Sequence, residues 1–263
     1  MTVVSHRSAR LDIVRSSLVA LLGIVQIVVS TLAATSGIGE PIGEVARDYR
    51  TPLLAADWTF GIWLPIYVGF LGYAIYQLLP RQRGREVHRR TGWWLAASAV
   101  CNPSWILAFG ARSMLLAELL LVALLATLAV AFGRLSREPA ADVVERVAFR
   151  GPIALYTGWV SVAVVLGTAA TGVWAGLPGS SALSTVAAVV VLLAVTAIAA
   201  SVVLAGNAVI CYAAAVVWAV IGIALNDPPA AVVVAGAVAI VVVLSATARR
   251  LTTTGNPPRA AWG

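Results

Sequence analysis

The 263-residue chain has no lysine, two cysteines and two histidines, and only 11% of its residues are charged. A water-soluble domain carries about a quarter charged residues, so this composition excludes an ordinary soluble protein. The cysteines and histidines are too dispersed to predict a metal site or a disulfide framework. Because no nucleophile and base are paired by spacing, no catalytic residue is assigned, and an enzyme is the less favoured interpretation.

Long apolar runs make up most of the chain. Sixty per cent of the residues are apolar, and eight segments approach the ~20 apolar residues that cross a bilayer as a helix. The sequence therefore predicts an all-α polytopic transmembrane helix bundle of about eight helices. The predicted spans are 16–35, 58–79, 92–110, 113–133, 152–174, 182–204, 207–225 and 230–248.

The arginines are distributed unevenly between the two ends of these spans. If the N-terminus is cytoplasmic, fifteen of the eighteen lie inside, and only Arg47, Arg50 and Arg112 lie outside. The positive-inside rule demands such a bias in short loops. We therefore expect a multi-pass plasma-membrane protein with both termini in the cytoplasm. Topology and attraction to anionic membrane lipid explain the net charge of +7 without a nucleic-acid partner.

The longest outer connection runs from 36 to 57. Its charges have helical spacing, with Glu44 three residues before Arg47 and four before Asp48, which favours local ion pairs. Connections of this length in a compact bundle are often lids over a binding site. A solvated connector is the equal alternative.

Two aromatic clusters lie inside predicted spans. The residues of each cluster are three or four positions apart, which places them on one helix face. Such faces offer flat apolar area with indole N–H and phenol O–H groups at the edge, which suits a planar hydrophobic ligand. Plain packing is the alternative. The clusters are Phe60, Trp63 and Tyr67 in the second helix, and Tyr156, Trp159 and Ala163 in the fifth.

The third predicted helix adds Asn102 and Trp105. An amide in hydrocarbon costs free energy unless it is paired, so Asn102 must face protein, water or ligand. It serves equally well as a bridge between helices.

These segments resemble the tryptophan-rich sensory protein family (TspO/MBR, the translocator-protein or peripheral benzodiazepine receptor family). The similar motifs are Trp58-x-Phe60-Gly61-x-Trp63-x-x-x-Tyr67, Asn102-Pro103-Ser104-Trp105, and Pro152 followed by Tyr156-x-x-Trp159-x-x-x-Ala163. The resemblance covers residues 12–175. It departs from the family at Gly167, where an Asn is common, and in the spacing of Pro152 and Tyr156.

The resemblance implies a five-helix domain at 1–175, three additional helices at 176–250 and a cytoplasmic tail at 251–263. It also implies that one pocket beneath the outer loop binds a planar hydrophobic small molecule, a porphyrin or haem-type ligand, with no cofactor required. The residues expected to line this pocket are Phe60, Trp63, Tyr67, Asn102, Trp105, Tyr156, Trp159 and Ala163.

Two further features bear on function. Glu118 lies inside a predicted span, where carboxylates are functional candidates, here for a proton relay. Snorkelling of this side chain toward water near the outer end of the helix, in the direction of Arg112, is the simpler interpretation. The last three helices hold only isolated aromatics, Tyr212 and Trp218. We interpret them as packing or as an oligomer face, which leaves a homodimer open.

Three functions are compatible with the sequence. The favoured one is a ligand-binding membrane protein for sensing, sequestration or regulated transport of a tetrapyrrole-like molecule. The second is a small permease or permease subunit without a tetrapyrrole ligand, which the scarcity of charges inside the spans disfavours. The third is breakdown of the bound tetrapyrrole through Trp63 and Trp159, for which the sequence offers no acid–base pair.

Overall fold

The computed structural model describes residues 2–263, with side chains from residue 9 onward, so the predicted inside position of Arg7 falls outside the described side chains. This part of the chain is helical and contains no β-strand. Eight long helices are numbered in chain order. They are α1 (Thr2–Ala34), α2 (Trp63–Leu78), α3 (Glu86–Gly110), α4 (Met114–Arg137), α5 (Gly151–Trp174), α6 (Ala182–Ala205), α7 (Val209–Ala224) and α8 (Ala230–Thr253).

The predicted all-α polytopic bundle is confirmed. Six of the eight helices, all except α3 and α7, are long and apolar enough to span a membrane; α2 reaches this length together with the 3₁₀ helix Asp57–Ile62 that precedes it. α7 has 16 residues, or about 24 Å at 1.5 Å per residue, slightly short of a ~30 Å hydrocarbon core. α3 has 25 residues but begins in a charged turn that contains Glu86.

Successive helices run in alternate directions, so α3 and α7 also connect the two ends of the bundle. The loops after α1, α3, α5 and α7 meet at one end, which we call the roof end. There the Glu40 N–H donates to the Gly110 carbonyl, and the Asn226 amide donates to the Leu54 carbonyl, each at 3.0 Å. The arginine-rich loop after α2 contacts the segment before α5 at the opposite end.

Five helix boundaries differ from the predicted ones by four or more residues. α3 begins at Glu86 instead of residue 92, and α4 ends at Arg137 instead of residue 133. α1 begins at Thr2 instead of residue 16, and α8 continues to Thr253. Regular α2 begins at Trp63, because Asp57–Ile62 forms a 3₁₀ helix before it. Pro65 is accommodated there, since the first turn of a helix has no internal partner for a backbone N–H.

The first five long helices form a closed ring. Each packs against two neighbours, in the spatial order α1, α2, α5, α4, α3 and back to α1. The interior of this ring holds the large buried aromatic side chains, including Trp159 and Tyr156. The ring therefore places α2, α3 and α5 around a common interior near the roof end.

The three C-terminal helices pack outside this ring. α7 lies against α5, α8 lies against α7, and α6 packs mainly against α8. Gly158 permits the close α5–α7 contact, because a Cβ at this position would collide with the Tyr212 carbonyl. The predicted isolation of Tyr212 was wrong, since its ring stacks on Phe132 with centroids 5.7 Å apart. Sequence spacing could not show this contact, because 80 residues separate the two rings.

The chain after α8 is also ordered against the bundle. Residues Pro257–Trp262 form a short helix, in which Ala260 and Ala261 are buried. The Arg259 guanidinium donates to the Arg137 carbonyl at the end of α4, at 3.1 Å. The predicted tail therefore covers the end of the bundle opposite the roof.

A buried ion cluster fixes the start of α5 at the end of the bundle opposite the roof end. The Glu145 carboxylate is fully buried and accepts hydrogen bonds from Arg150 at 2.8 Å and from Arg85 at 2.6 Å. Arg150 is itself buried and donates to the Leu135 carbonyl at the end of α4. The cluster therefore ties α5 to α4 and to the loop after α2, which sets the position of the aromatic face of α5.

Candidate functional site

A small cavity lies inside the five-helix ring directly beneath the α1–α2 loop. Its volume is about 50 Å³, enough for only a few water molecules. Side chains from the loop form its roof, and side chains from α2 to α5 form its walls. The lining residues are Ile42, Ala46, Tyr49, Thr51, Leu54, Phe60, Trp63, Trp105, Phe109, Leu121, Trp159, Ala163, Leu166, Gly167 and Ala170.

Trp63 occupies the centre of an aromatic cluster. Its ring stacks on Tyr67 with centroids 5.4 Å apart and lies 5.6 Å from the Trp105 ring. The rings of Tyr156 and Trp159 meet it edge to face, at 5.8 and 6.1 Å. Such arrangements are favoured by the aromatic quadrupole and hold the rings in fixed orientations. The tertiary fold thus joins the aromatic faces of the second, third and fifth helices, which are far apart in sequence.

The eight predicted site residues occupy two positions relative to the cavity. Tyr67, Asn102 and Tyr156 form a deeper layer beneath the cavity wall. In this layer the Tyr67 hydroxyl donates to the Asn102 Oδ1 at 3.1 Å. The residues that line the cavity directly are Phe60, Trp63, Trp105, Trp159 and Ala163.

Four buried polar groups of this cluster have no hydrogen-bond partner among the described residues. They are the indole N–H groups of Trp63 and Trp159, the Tyr156 hydroxyl and the Asn102 amide nitrogen. An unpartnered buried polar group costs about 1–3 kcal/mol, so each of these groups calls for a partner such as an ordered water or a ligand. All four groups can donate hydrogen bonds. The site is therefore suited to a guest with hydrogen-bond acceptors at its edge.

Several lining residues were missed by sequence reasoning. Gly167 and Ala170 continue the face of α5 that Trp159 and Ala163 define, at spacings of four and seven residues from Ala163. The helical period therefore predicts that both residues lie on this face of α5. The roof residue Tyr49 lies in an irregular loop, where no period applies, so only the tertiary structure could place it over the cavity.

The loop above the cavity contains a short helix, Ile42–Asp48, and is held by Arg112. The Arg112 guanidinium donates to the Glu40 carboxylate at 2.7 Å and to the Asp48 carboxylate at 2.6 Å. The predicted local pairing of Glu44 with Arg47 was wrong. Arg47 instead pairs with Asp57, because the loop folds back on itself.

Acidification is expected to release this roof. Hydrogen bonds from Arg112 hold the pKa of Glu40 below its ordinary value of 4.5. The stabilising contribution of Glu40 is therefore present above pH 4.5 and is lost as the pH falls through its lower folded-state pKa. A nitroxide spin label at position 44, in a Cys101→Ser/Cys211→Ser background, should give an immobilised spectrum at pH 7 and a mobile one once the pH has fallen through the lowered pKa of Glu40.

The Arg112→Gln variant provides the control for that prediction. Its label should be mobile at both pH values, because the guanidinium is absent. A label that remains immobilised in Arg112→Gln at pH 7 would show that other contacts hold the roof.

α7 supports the roof from the side. The Trp218 indole donates to the Thr59 carbonyl at 2.9 Å, and its ring meets Trp58 edge to face at 4.9 Å. The Ala56 N–H donates to the Gly222 carbonyl at 3.0 Å. The predicted isolation of Trp218 was therefore wrong. The C-terminal helices contribute no residue to the cavity lining, but they position the segment that carries Phe60.

Removing the α7 brace should loosen this segment without unfolding the bundle. Trp218→Phe retains an aromatic ring against Trp58 and loses the hydrogen bond to Thr59. We expect backbone amides of residues 54–60 to exchange with deuterium at least several-fold faster, measured by mass spectrometry. Trp93→Phe, at an exposed position on α3, should leave this exchange unchanged, and equal protection in both variants would contradict the bracing role.

Glu118 does not pair with Arg112. Arg112 is engaged by the roof carboxylates, and Glu118 instead accepts a hydrogen bond from the Thr168 hydroxyl at 2.6 Å. The other Glu118 oxygen is buried and has no partner among the described residues. It lies against Gly167, where a larger side chain would collide with it. Gly167 therefore makes room for a carboxyl group between α4 and α5.

These features define a polytopic helical membrane protein with an aromatic, roofed cavity in its first five helices. Residues 16–248 match the family model described as TSPO-like protein. The chain belongs to this family, which confirms the resemblance seen in the sequence. The match includes α6, α7 and α8 as well as the five-helix ring. No curated protein and no solved structure significantly matches the chain.

Proposed function

We propose that this protein binds a planar hydrophobic ligand, a porphyrin-type tetrapyrrole, in the aromatic cavity, for sensing, sequestration or regulated transport. The observation that carries the proposal is the set of four unpartnered donors beside the stacked rings of Trp63, Tyr67 and Trp105. Aromatic rings supply apolar contact area for a flat guest, and the donors supply partners for acceptors on its edge.

Binding requires the cavity to expand. Pockets for drug-sized ligands have volumes of roughly 300–1,000 Å³, whereas this cavity measures about 50 Å³. The wall is made of packed helices, but the roof is a loop held mainly by the exposed Arg112 clamp and the α7 brace. The roof is therefore the element expected to move, and its release admits the ligand from the roof end.

A titration of the detergent-purified protein with protoporphyrin IX, monitored by the quenching of tryptophan fluorescence, tests the proposal. Etioporphyrin, an alkyl porphyrin without carboxylates, is the matched ligand control. We expect saturable binding of protoporphyrin and weaker binding of etioporphyrin, because only the former offers carboxylate acceptors to the indole donors of Trp63 and Trp159 in the cavity wall. Quenching that does not saturate for either compound would reject a porphyrin site.

The proposal includes a location and an orientation. The protein would reside in the plasma membrane with both termini in the cytoplasm, since this places most arginines inside. The roof would then face outward. Accessibility of a cysteine introduced at Glu44, assayed with a membrane-impermeant maleimide on intact cells in the cysteine-free background, tests this orientation.

Glu118 supports the permease as a second candidate function. A carboxyl group with one unpartnered oxygen inside a spanning helix is a candidate for coupling proton and solute movement. If the protein is a proton-coupled permease, Glu118→Gln should abolish uptake of a solute into proteoliposomes while leaving porphyrin binding unchanged. The ligand-binding proposal predicts no uptake that depends on Glu118.

A further inference from the structure

A second, larger cavity lies outside the five-helix ring, between α5 and α6. Because α6 packs mainly on α8, it leaves a cleft of about 550 Å³ along α5. This volume is within the range of ligand sites. The wall on α5 runs from Val165 to Val173 and that on α6 from Leu183 to Val191, each about 12 Å at 1.5 Å per residue.

The cleft offers a predominantly apolar surface. Its two hydroxyl-bearing helix residues use their hydrogen bonds internally, since Thr168 donates to Glu118 and Ser184 donates to the Ser181 carbonyl. The remaining wall residues, such as Ala169, Gly172 and Ala187, are small or aliphatic. An elongated hydrocarbon chain therefore fits this surface, whereas a polar guest would find no partner.

A polar cavity of about 350 Å³ adjoins the cleft at the roof end. The two share Thr51 and Pro52 in their walls. The polar cavity also contains one cation and one anion, Arg50 and Asp227, both exposed. Neither takes part in an ion pair among residues 9–263. The pair is complementary to a headgroup that carries both charges.

We propose that these two cavities together bind one zwitterionic glycerophospholipid of the phosphatidylethanolamine class. One acyl chain lies in the cleft between α5 and α6, its phosphate pairs with Arg50, and its ammonium group pairs with Asp227. The polar cavity lies at the end of the helices and the apolar cleft lies along them, which is the order of headgroup and chain in a bilayer leaflet.

This lipid would also stabilise the roof. Arg50 and Thr51 belong to the loop above the aromatic cavity, and Thr51 lines all three cavities. The Asn226 amide, next to Asp227, is bonded to the Leu54 carbonyl of the same loop. A bound lipid therefore connects the α5–α6 cleft to the loop that closes the aromatic site.

Native mass spectrometry of the full chain in detergent, with added phosphatidylethanolamine, tests the proposal. We expect one tightly retained lipid per chain. Ala187→Phe fills the cleft and should reduce retention at least tenfold. Ala194→Phe, at an exposed position two turns deeper on α6 and outside the cleft, should retain the lipid. Retention that is equal in Ala187→Phe and the parent protein, or absent from the parent, would overturn the site.

Two substitutions test the assignment of the lipid headgroup. Arg50→Gln should weaken retention several-fold, whereas Arg81→Gln, the same change at an exposed residue of the opposite end, should not. Asp227→Asn should remove the preference for phosphatidylethanolamine over phosphatidylglycerol. A parent protein that retains both lipids equally would overturn the zwitterionic assignment. Thermal unfolding of each variant verifies that it remains folded.

Discussion

Trp159→Ala should weaken protoporphyrin IX binding by about tenfold or more. Trp159 is almost fully buried, lines the cavity and meets both Trp63 and Phe60 edge to face, each at 6.1 Å. The substitution removes ring contact with the guest, loosens the two neighbouring rings and deletes one of the four unpartnered donors. A tenfold loss corresponds to about 1.4 kcal/mol, within the range of one aromatic contact. A titration monitored by the quenching of tryptophan fluorescence measures this loss of affinity.

Two further variants make this result interpretable. Trp174→Ala changes an exposed tryptophan on the same helix, away from the cavity, and should bind the porphyrin like the parent. Trp159→Phe retains a ring and removes only the N–H, so its loss should be smaller than that of Trp159→Ala. If all three variants bind as the parent does, the ligand does not occupy this cavity.

Glu145→Ala should be the most destabilising single substitution at the end opposite the roof. It leaves the Arg150 guanidinium buried without a carboxylate and frees Arg85. Removal of one partner of a buried ion pair costs about 3–5 kcal/mol, because the remaining charge loses both solvent and counter-ion. The free energy of unfolding, obtained from a titration with sodium dodecyl sulfate in mixed micelles, measures this loss.

The matched control is Glu86→Ala. Glu86 also pairs with an arginine, Arg90, but both side chains are more than half exposed. Exposed pairs contribute about 0–1 kcal/mol, so this variant should unfold close to the parent. Equal losses in the two variants would show that burial does not determine the strength of these pairs.

The fold was predictable from the sequence because the bilayer imposes a length on each helix. Eight apolar runs gave eight helices. Asn226-Asp227-Pro228-Pro229 separates α7 from α8, because a proline inside a helix removes a backbone hydrogen bond and disrupts it. The ends of helices were less predictable. The extension of α1 to Thr2 involves a polar segment, for which hydropathy gives no boundary. The 3₁₀ helix before Trp63 belongs to the same apolar run as α2, so hydropathy cannot separate the two.

The aromatic faces were also predictable, since Trp63 and Tyr67, or Trp159 and Ala163, share a face by helical period. The sequence could not predict the position of the roof loop or the contacts that hold it. The Arg112 clamp joins the loop after α1 to the loop after α3, and the Trp218 brace spans 159 residues. Such contacts follow from the order in which helices pack, which periodicity does not determine. For the same reason, the sequence did not predict the hydrogen bond between Glu118 and Thr168.

The most direct test of the account concerns the unpartnered donors. In protein labelled with ¹⁵N at the tryptophan indoles, protoporphyrin IX should shift the N–H resonances of Trp63 and Trp159, because their donors gain acceptors. The resonances of the exposed Trp93, Trp94 and Trp174 should stay in place. Saturable binding that leaves Trp63 and Trp159 unshifted would contradict the claim that the aromatic cavity is the binding site.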